Sequence, residues 1–437
     1  MANHPLGIYA FGRHFLSNAA PVLIWIHGGG YIVGEKTGFG RYNPDGIFQA
    51  SREAGDDGFI FVSINYRLGA FGFLGGSTLQ RDGAANAGLL DQRLALEWVK
   101  ENIHLFGGSA DRVTVMGESA GGGSTLYQLT AYGASQGPVP FQQIIPQSPG
   151  TQFAASPQSV EDVLQTFMAT VNASTLDELR AASFTSLNFA NTFLAGTERQ
   201  GFFGPSVDST FIPQHFSQLV SNGAFDQSVT ALIGTNANEG ILFSDPTVNS
   251  SATYTTYIRG LIPGISEASV SYITNVLYPP VFDGSFGYTS QFERGVRTFE
   301  EFTFTCNAPI ISWGLQNLTN NYNFAVSPGL HAQDVAYTFY NGPETGAGGI
   351  TAPPTTPTEI RLAGILQSWI ATFVVQGTPK AADTLPFEPY GSDASVLVMG
   401  ESGTLNSTGL SRGADPAFVH GRCAWLSEAV GEEILLE

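Results

Sequence analysis

The chain is poor in charged residues, and positive charge is especially scarce. Only 13% of its 437 residues are charged, whereas 43% are hydrophobic. This balance indicates a large buried core and excludes collagen, coiled-coil and disordered classes. Lysine and arginine number 18 against 37 acidic residues, which gives a net charge of −19. Such a chain is repelled by nucleic-acid phosphates and by anionic membrane surfaces, so neither is an expected partner.

The sequence also contains no long apolar run, few cysteines and no segment with the pattern of a signal peptide. No apolar run reaches the ~18 residues that a membrane-spanning helix requires. Residues 1–20 interrupt their apolar positions with histidine and arginine, so they lack the continuous core of a signal peptide. Two cysteines permit one intrachain disulfide at most. Four Asn-x-Ser/Thr sequons would accept glycans in the secretory pathway, at Asn172, Asn249, Asn317 and Asn406.

A glycine-rich turn is the most informative stretch that the sequence contains. Residues 113–124 read V-T-V-M-G-E-S-A-G-G-G-S, an apolar strand followed directly by small residues that can begin a helix. Residues 117–121 fit the G-x-S-x-G nucleophile elbow, in which a sharp strand-to-helix turn exposes the serine hydroxyl. Glycine on either side gives the backbone room to double back. Ser119 is therefore the candidate nucleophile, and the alternative is a glycine-rich turn without chemistry.

Apolar runs of strand length alternate with helical patterns along the chain. Val22–Ile26 and Phe59–Tyr66 are apolar on both faces, which is typical of central strands in a parallel sheet. Asp91 is predicted to cap a helix through Asn102, whose apolar stripe includes Leu94. Further strands are predicted at Phe141–Pro146, Val229–Gly234, Val335–Tyr340 and Val396–Met399, and helices at Glu161–Ala169, Thr175–Ala182 and Glu359–Gln376. The alternation predicts an α/β fold with a mostly parallel sheet, and no clear boundary divides residues 1–437, so one domain with helical insertions is expected.

A serine nucleophile needs a base, and the elbow restricts which histidine can supply it. In sheets of this kind the order along the chain is serine, acid, histidine, which leaves His331 and His420 of the seven histidines. His331 lies in a Pro-Gly-Leu-His-Ala loop before a predicted strand and is the favoured base. His420 stands close to Cys423, which indicates a packing role in the C-terminal segment.

The acid that orients the base has four candidates, Asp208, Asp226, Glu239 and Asp245. Glu239 is favoured because it stands in a polar turn, N-A-N-E-G, directly after an apolar strand. An α/β sheet places functional side chains at such strand ends. Asp208 has the surroundings of a turn anchor instead.

Stabilising the oxyanion that forms during acyl transfer requires N–H donors from two places. The H-G-G-G segment after the first strand offers Gly29 and Gly30, and the residue after the nucleophile offers Ala120. His27, the first residue of that segment, is expected to brace the loop rather than to take part in the chemistry.

Together these segments resemble the type-B carboxylesterase and cholinesterase-like lipase family, most of all its fungal members. The matching segments are P-V-L-I-W-I-H-G-G-G-Y from Pro21, N-Y-R-L-G-A-F-G-F-L from Asn65, L-L-D-Q-R-L-A-L-E-W-V-K-E-N-I from Leu89, F-G-G-S-A-D-R-V-T-V-M-G-E-S-A-G-G from Phe106, Q-S-P-G from Gln147, V-D-S-T-F-I-P from Val207, N-A-N-E-G from Asn236 and the loop at His331. The resemblance implies an α/β-hydrolase fold. It assigns the catalytic triad to Ser119, Glu239 and His331, and the oxyanion hole to Gly29, Gly30 and Ala120.

Further features follow from the resemblance alone. It implies a disulfide between Cys306 and Cys423 and a supporting position near the triad for Ser148, with Glu118 assigned to the same surroundings. It implies a serine carboxylic ester hydrolase that forms an acyl-enzyme, acts on an apolar small-molecule or lipid ester, needs no metal or cofactor, and is secreted. A catalytically inactive binding protein and a non-functional shortened member are the alternatives.

Two departures from the family pattern lead to a further expectation. About twenty residues precede the H-G-G-G strand, where family members carry many more, and residues 1–20 form an atypical segment. The family's F-G-G-D-P is replaced by F-G-G-S-A at residues 106–110. Loss of the first antiparallel strands would leave an unpaired sheet edge, which is a liability for solubility.

Overall fold

The computed structural model describes residues 6–12, 19–56, 58–152, 156–197, 202–342, 352–400, 409–418 and 421–431. Within these residues all strands belong to one nine-stranded sheet with the order β1-β3-β2-β4-β5-β6-β7-β8-β9. The strands are β1 Leu6–Gly12, β2 Ala20–Ile26, β3 Gly58–Ile64, β4 Gly108–Glu118, β5 Gln143–Gln147, β6 Thr230–Asn236, β7 Asn320–Phe324, β8 Ser395–Met399 and β9 Leu410–Ala414. The seven inner strands are parallel, and β1 and β9 pair antiparallel at the two edges.

Helices cover the sheet and fill the insertions after β5 and β6. They are α1 Asp45–Glu53, α2 Ala70–Phe73, α3 Ser77–Gln80, α4 Ala87–Asn102, α5 Ala120–Leu129, α6 Pro157–Val171, α7 Leu176–Ala181, α8 Phe184–Thr197, α9 Phe216–Ser221, α10 Ser251–Leu261, α11 Glu267–Tyr272, α12 Gln291–Glu300, α13 Asn307–Gly314, α14 Gln333–Thr338, α15 Pro357–Gln376 and α16 Arg422–Gly431. Short 3₁₀ turns span Gly38–Gly40, Ile103–Phe106 and Ala131–Ala134, and π-helical turns span Ile273–Leu277 and Glu301–Thr305. This is the predicted α/β-hydrolase architecture.

The continuous apolar run in β2 is explained by burial on both faces of the sheet. Val22, Ile24 and Ile26 pack in one hydrophobic cluster, whereas Leu23 and Trp25 point to the opposite face and pack in another. Successive side chains of a strand alternate between faces, so a strand covered on both sides needs apolar residues at every position.

The long helix α15 begins at a capping box and ends at a glycine, both of which are visible in the sequence. Thr356 caps its first turn in a capping box with Glu359, and Gly377 ends it in the left-handed conformation at φ 75°. Its buried face includes Leu366, Trp369 and Phe373. The prediction of a helix over Glu359–Gln376 is therefore confirmed, with two more residues at its start.

Three predictions about local structure are wrong. Val335–Tyr340 is not a strand, because residues 333–338 form α14. Asp91 caps no helix, since α4 begins four residues earlier and the Asp91 carboxylate instead accepts hydrogen bonds from the backbone and guanidinium of Arg67. Leu94 is 67% exposed and lies outside the buried stripe of α4.

The sheet edge that was expected to be missing is occupied. Residues 6–12 of the segment predicted to be atypical form β1, which pairs antiparallel with β3 from Leu6–Ile64 to Gly12–Gly58. The predicted disulfide is present and joins Cys306, immediately before α13, to Cys423 in α16. Next to it, the buried guanidinium of Arg422 forms two hydrogen bonds of 2.6 Å with the carboxylate of Glu301.

Candidate active site

Ser119 occupies a strained turn between β4 and α5. Its backbone has φ 58° and ψ −122°, a conformation that L residues adopt only when the surroundings enforce it. Its N–H donates to the carbonyl of Gln147 at 3.0 Å, and its own carbonyl accepts from Gly150 at 2.8 Å. A Cβ on Gly121 would lie 2.0 Å from the carbonyl oxygen of Ile26, so this elbow glycine cannot be replaced without displacing the backbone.

The structure brings the three predicted triad residues into one line of hydrogen bonds. Nε2 of His331 lies 2.8 Å from Oγ of Ser119, and Nδ1 of His331 lies 2.5 Å from Oε2 of Glu239. The other carboxylate oxygen of Glu239 accepts a hydrogen bond of 2.6 Å from the backbone N–H of Asn236. The imidazole and the carboxylate are buried, whereas Ser119 is partly accessible from the cavity.

The charges around His331 favour a proton on its imidazole. Burial by itself would lower the pKa of His331, but the carboxylate of Glu239, together with Glu118 when that group is ionised, outweighs this effect and raises the pKa above its ordinary value. Oε1 of Glu118 lies 3.3 Å from Nε2 of His331. Burial raises the pKa of Glu118 to about 8, against the opposing pull of His331.

The predicted oxyanion donors line the same cavity as Ser119. Gly29, Gly30 and Ala120 all border it, and among the described residues none of their N–H groups donates to a protein acceptor. Gly29 has φ 112°, and a Cβ there would lie 2.1 Å from the carbonyl oxygen of Val33. A side chain is therefore excluded at this position by both conformation and space.

His27 contacts the glycine loop and packs against Tyr66. Its Nδ1 lies 2.8 Å from the carbonyl oxygen of Gly28, and its ring stacks on Tyr66 with centroids 4.5 Å apart. The hydroxyl of Tyr66 donates to the carbonyl oxygen of His27 at 2.8 Å. These contacts agree with the prediction that His27 braces the loop.

The cavity at Ser119 has a volume of about 330 Å³ and mainly apolar walls. Five phenylalanines line it: Phe202, Phe203, Phe243, Phe299 and Phe304. The rings of Phe304 and Phe243 lie 4.2 and 5.0 Å from the His331 ring, measured between centroids. Phe304 is carried by the π-helical turn Glu301–Thr305, in the helical insertion between β6 and β7.

The rejected acid candidates hold turns elsewhere. Asp208 accepts hydrogen bonds from the backbone N–H groups of Thr210 and Ile212, as expected of a turn anchor. Asp226 and Asp245 likewise accept from backbone N–H groups two residues further along the chain. His420 lies outside the described residues.

Ser148 is connected to the candidate triad through Asn236, and its supporting role stays a prediction from the resemblance. Its Oγ accepts a hydrogen bond of 2.8 Å from the side chain of Asn236, whose backbone N–H holds Glu239. The same amide group of Asn236 donates to Asp334 at 3.1 Å. Asp334 was missed in the sequence, because a lone aspartate in the first turn of a short helix carries no motif.

The described part of the chain contains neither a candidate metal site nor a candidate membrane span. No group of three or more His, Cys, Asp or Glu side chains there could hold a metal ion. None of the helices in that part of the chain is long and apolar enough to cross a membrane.

Comparisons with known proteins connect the chain to carboxylesterases and lipases. A model of the carboxylesterase family matches residues 6–271, so the matched region begins within the segment predicted to be atypical. Carboxylesterase patB of Penicillium expansum is 38% identical over 388 residues, which is 88% of this chain and 67% of that protein. A secreted lipase of Arthroderma benhamiae is 31% identical over 344 residues, 73% of this chain and 60% of the relative. The crystal structure of Aspergillus niger EstA superimposes with a TM-score of 0.80 over 96% of this chain and 82% of that one; at 24% identity this likeness shows the fold.

Proposed function

This chain belongs to the carboxylesterase family and is a carboxylic ester hydrolase, and we propose that it acts through a covalent acyl-enzyme formed on Ser119. His331 is the general base, and Glu239 orients and stabilises its imidazole. The observation that carries the proposal is the continuous path from Ser119 Oγ through His331 to Glu239, with contacts of 2.8 and 2.5 Å. This is the arrangement that a serine nucleophile requires for activation.

The reaction follows from this geometry in two steps. Oγ of Ser119 attacks the ester carbonyl carbon while Nε2 of His331 accepts its proton, and the carbonyl oxygen becomes an oxyanion bound by the N–H groups of Gly29, Gly30 and Ala120. The tetrahedral intermediate collapses, the bond to the alcohol oxygen breaks, and His331 returns the proton to the leaving alcohol. Water then attacks the acyl-enzyme by the same route and releases the carboxylic acid.

The proposed substrate is an apolar ester of modest size. Phenylalanine rings form much of the cavity wall, and its volume of about 330 Å³ accommodates a small ligand. Of the lining side chains, only Glu118 and His331 are ionisable in the neutral range, so the cavity favours an uncharged ester.

Secretion and glycosylation form part of the same proposal. Some relatives are named secreted lipases, and a structural disulfide is typical of oxidising compartments. Asn172 and Asn249 lie at exposed positions and are the sequons proposed to carry glycans.

The test is hydrolysis of p-nitrophenyl acetate and p-nitrophenyl palmitate by the wild type and by Ser119→Ala. We expect the substitution to lower kcat by about 10,000-fold or more, because the covalent route is lost. Ser135→Ala, an exposed serine outside the cavity, is the matched control and should retain full activity. A preference for acetate would indicate an esterase, and a preference for palmitate a lipase. Hydrolysis that survives Ser119→Ala would refute the proposal, and a folded wild type inactive on both esters would favour a binding protein.

A further inference from the structure

A buried carboxyl group lies beneath the candidate triad without lining the cavity. Asp334 stands in the first turn of α14, three residues after His331, and has no exposed surface. Its Oδ1 accepts a hydrogen bond of 3.1 Å from Nδ2 of Asn236. Its Oδ2 accepts from Nε2 of Gln147 at 3.1 Å and from the hydroxyl of Tyr322 at 2.9 Å. Three neutral donors therefore converge on one carboxylate.

Two of these donors belong to the turns that carry the other triad residues. Gln147 ends β5, and its carbonyl oxygen accepts the N–H of Ser119 at 3.0 Å. Asn236 ends β6, and its N–H donates to Glu239 at 2.6 Å. Asp334 is itself covalently continuous with the histidine loop. One side chain thus connects the nucleophile turn, the acid turn and the base loop.

We infer that Asp334 is a positioning residue that holds these three segments in register, a role that rests on the proposed function of the triad. Burying an ionised aspartate costs free energy, and the hydrogen bonds offset that cost only while all three donors point at the carboxylate. The carboxylate therefore selects the conformation in which Gln147 and Asn236 present their backbones to Ser119 and Glu239. Displacements well below 1 Å at the reacting atoms lower the rate. By holding these segments in position, Asp334 therefore contributes to kcat.

Asparagine is the informative substitution at this position. An amide has one acceptor oxygen and one donor group, so Asp334→Asn places an NH₂ group against donors that the carboxylate had satisfied. The substitution keeps the shape of the side chain but removes the full set of three accepted hydrogen bonds. Because Asp334 lies outside the cavity wall, binding of the ester is not directly affected.

The pH profile offers a second readout that mere destabilisation would not move. The ionisable groups facing His331 are Glu239, Glu118 and Asp334, and each of them, when ionised, favours the protonated imidazole. Those facing Asp334 are Glu239, His331, Tyr322 and Glu118. Removing the negative charge of Asp334 therefore lowers the pKa of His331 and moves the acid limb of kcat/KM to lower pH.

The experiment compares Asp334→Asn with a matched buried aspartate, Asp415→Asn. Asp415 is also buried, accepts a hydrogen bond from the hydroxyl of Tyr390 at 3.0 Å, and lies away from the cavity. For Asp334→Asn we expect kcat to fall by about 10- to 100-fold with KM unchanged, together with the shift of the acid limb. Asp415→Asn should lower the thermal stability but leave kcat and the pH profile unchanged.

Each result decides whether Asp334 positions the triad or only stabilises the fold. Wild-type kcat and an unmoved acid limb in Asp334→Asn would overturn the inference, as would an equal loss of kcat in Asp415→Asn. If Asp334→Asn does not fold, Tyr322→Phe removes one of the three donors, and kcat should then fall several-fold; an unchanged kcat would count against the role. Ser119→Ala is measured in parallel. If this variant retained activity, the proposed function would be refuted, and that result is distinct from a failure of the positioning role of Asp334.

Discussion

The imidazole of His331 is surrounded by more acidic groups than a triad needs. Glu239 contacts its Nδ1, and Glu118 approaches its Nε2, the same nitrogen that faces Ser119. The carboxyl oxygen Oε1 of Glu118 has no hydrogen-bond partner among the described residues. An ionised Glu118 would stabilise the imidazolium that forms during attack, and a protonated Glu118 would not.

This arrangement predicts an effect of Glu118 on the alkaline side of the pH profile. The pKa of Glu118 is raised to about 8, so the group is mostly protonated at neutral pH and loses its proton as the pH passes through 8. Activity of the wild type should therefore show a rise with an inflection near pH 8. Glu118→Gln should lack that inflection, as measured by kcat/KM between pH 6 and 10. An identical profile in both proteins would show that this carboxyl group does not act on His331.

Among the local elements, the glycine loop after β2 has little freedom to vary. Gly29→Ala would place a methyl group 2.1 Å from the carbonyl oxygen of Val33, and the loop would have to move away from Ser119. We expect kcat to fall by about 100- to 1,000-fold, the effect of losing an oxyanion donor, in steady-state assays. Gly40→Ala is the control, since Gly40 has φ 90° and open space at its Cβ position. Equal losses in the two variants would attribute the effect to backbone strain alone.

At the same scale, the sequence predicts the central elements well and the later ones less well. Apolar runs such as Val22–Ile26 predict strands because each face of the sheet is covered. The polar strand β7, N-N-Y-N-F, was missed because its asparagines are satisfied only by partners in the folded chain: Asn321 donates to Ser312 and Asn323 to Thr235. Residues 335–340, V-A-Y-T-F-Y, predict a strand because they form a short, mostly apolar run, but such a run fits a buried helix equally well. Packing against α15 decides for the helix.

The residues of the candidate site likewise fall into those that the sequence predicts and those that it does not. Ser119, Glu239 and His331 could be predicted because each stands in a motif or at a strand end with a known chain order. Phe304 and Asp334 could not, because their roles depend on which distant segments the fold brings beside them. Neither residue has a neighbour in the sequence that signals cavity lining or a buried carboxylate.

For the whole molecule, the disulfide ties the C-terminal helix to the body of the fold. The bridge between Cys306 and Cys423 spans 117 residues of sequence, and α16 packs on α9 and α13. In the chain-entropy account, a bridge closing a loop of this length stabilises the folded state by about 4–5 kcal/mol. The paired substitution Cys306→Ala with Cys423→Ala should lower the free energy of unfolding by that order, as measured by guanidinium titration.

The wild type under reducing conditions provides the comparison for this prediction. Reduction should lower its unfolding midpoint to that of the double variant, whereas the double variant should not respond to reductant. A double variant as stable as the oxidised wild type would mean that packing of α16 suffices without the bridge.

The same bridge makes the chain unusually convenient for site-directed labelling. The sequence contains two cysteines, and both are joined to each other, so the oxidised protein presents no thiol of its own. A single cysteine introduced at Phe189, which is 63% exposed on α8, would be the only group to react with a maleimide dye. Because Ala195 of that helix lines the cavity, the dye would be attached to an element that borders the proposed ester site.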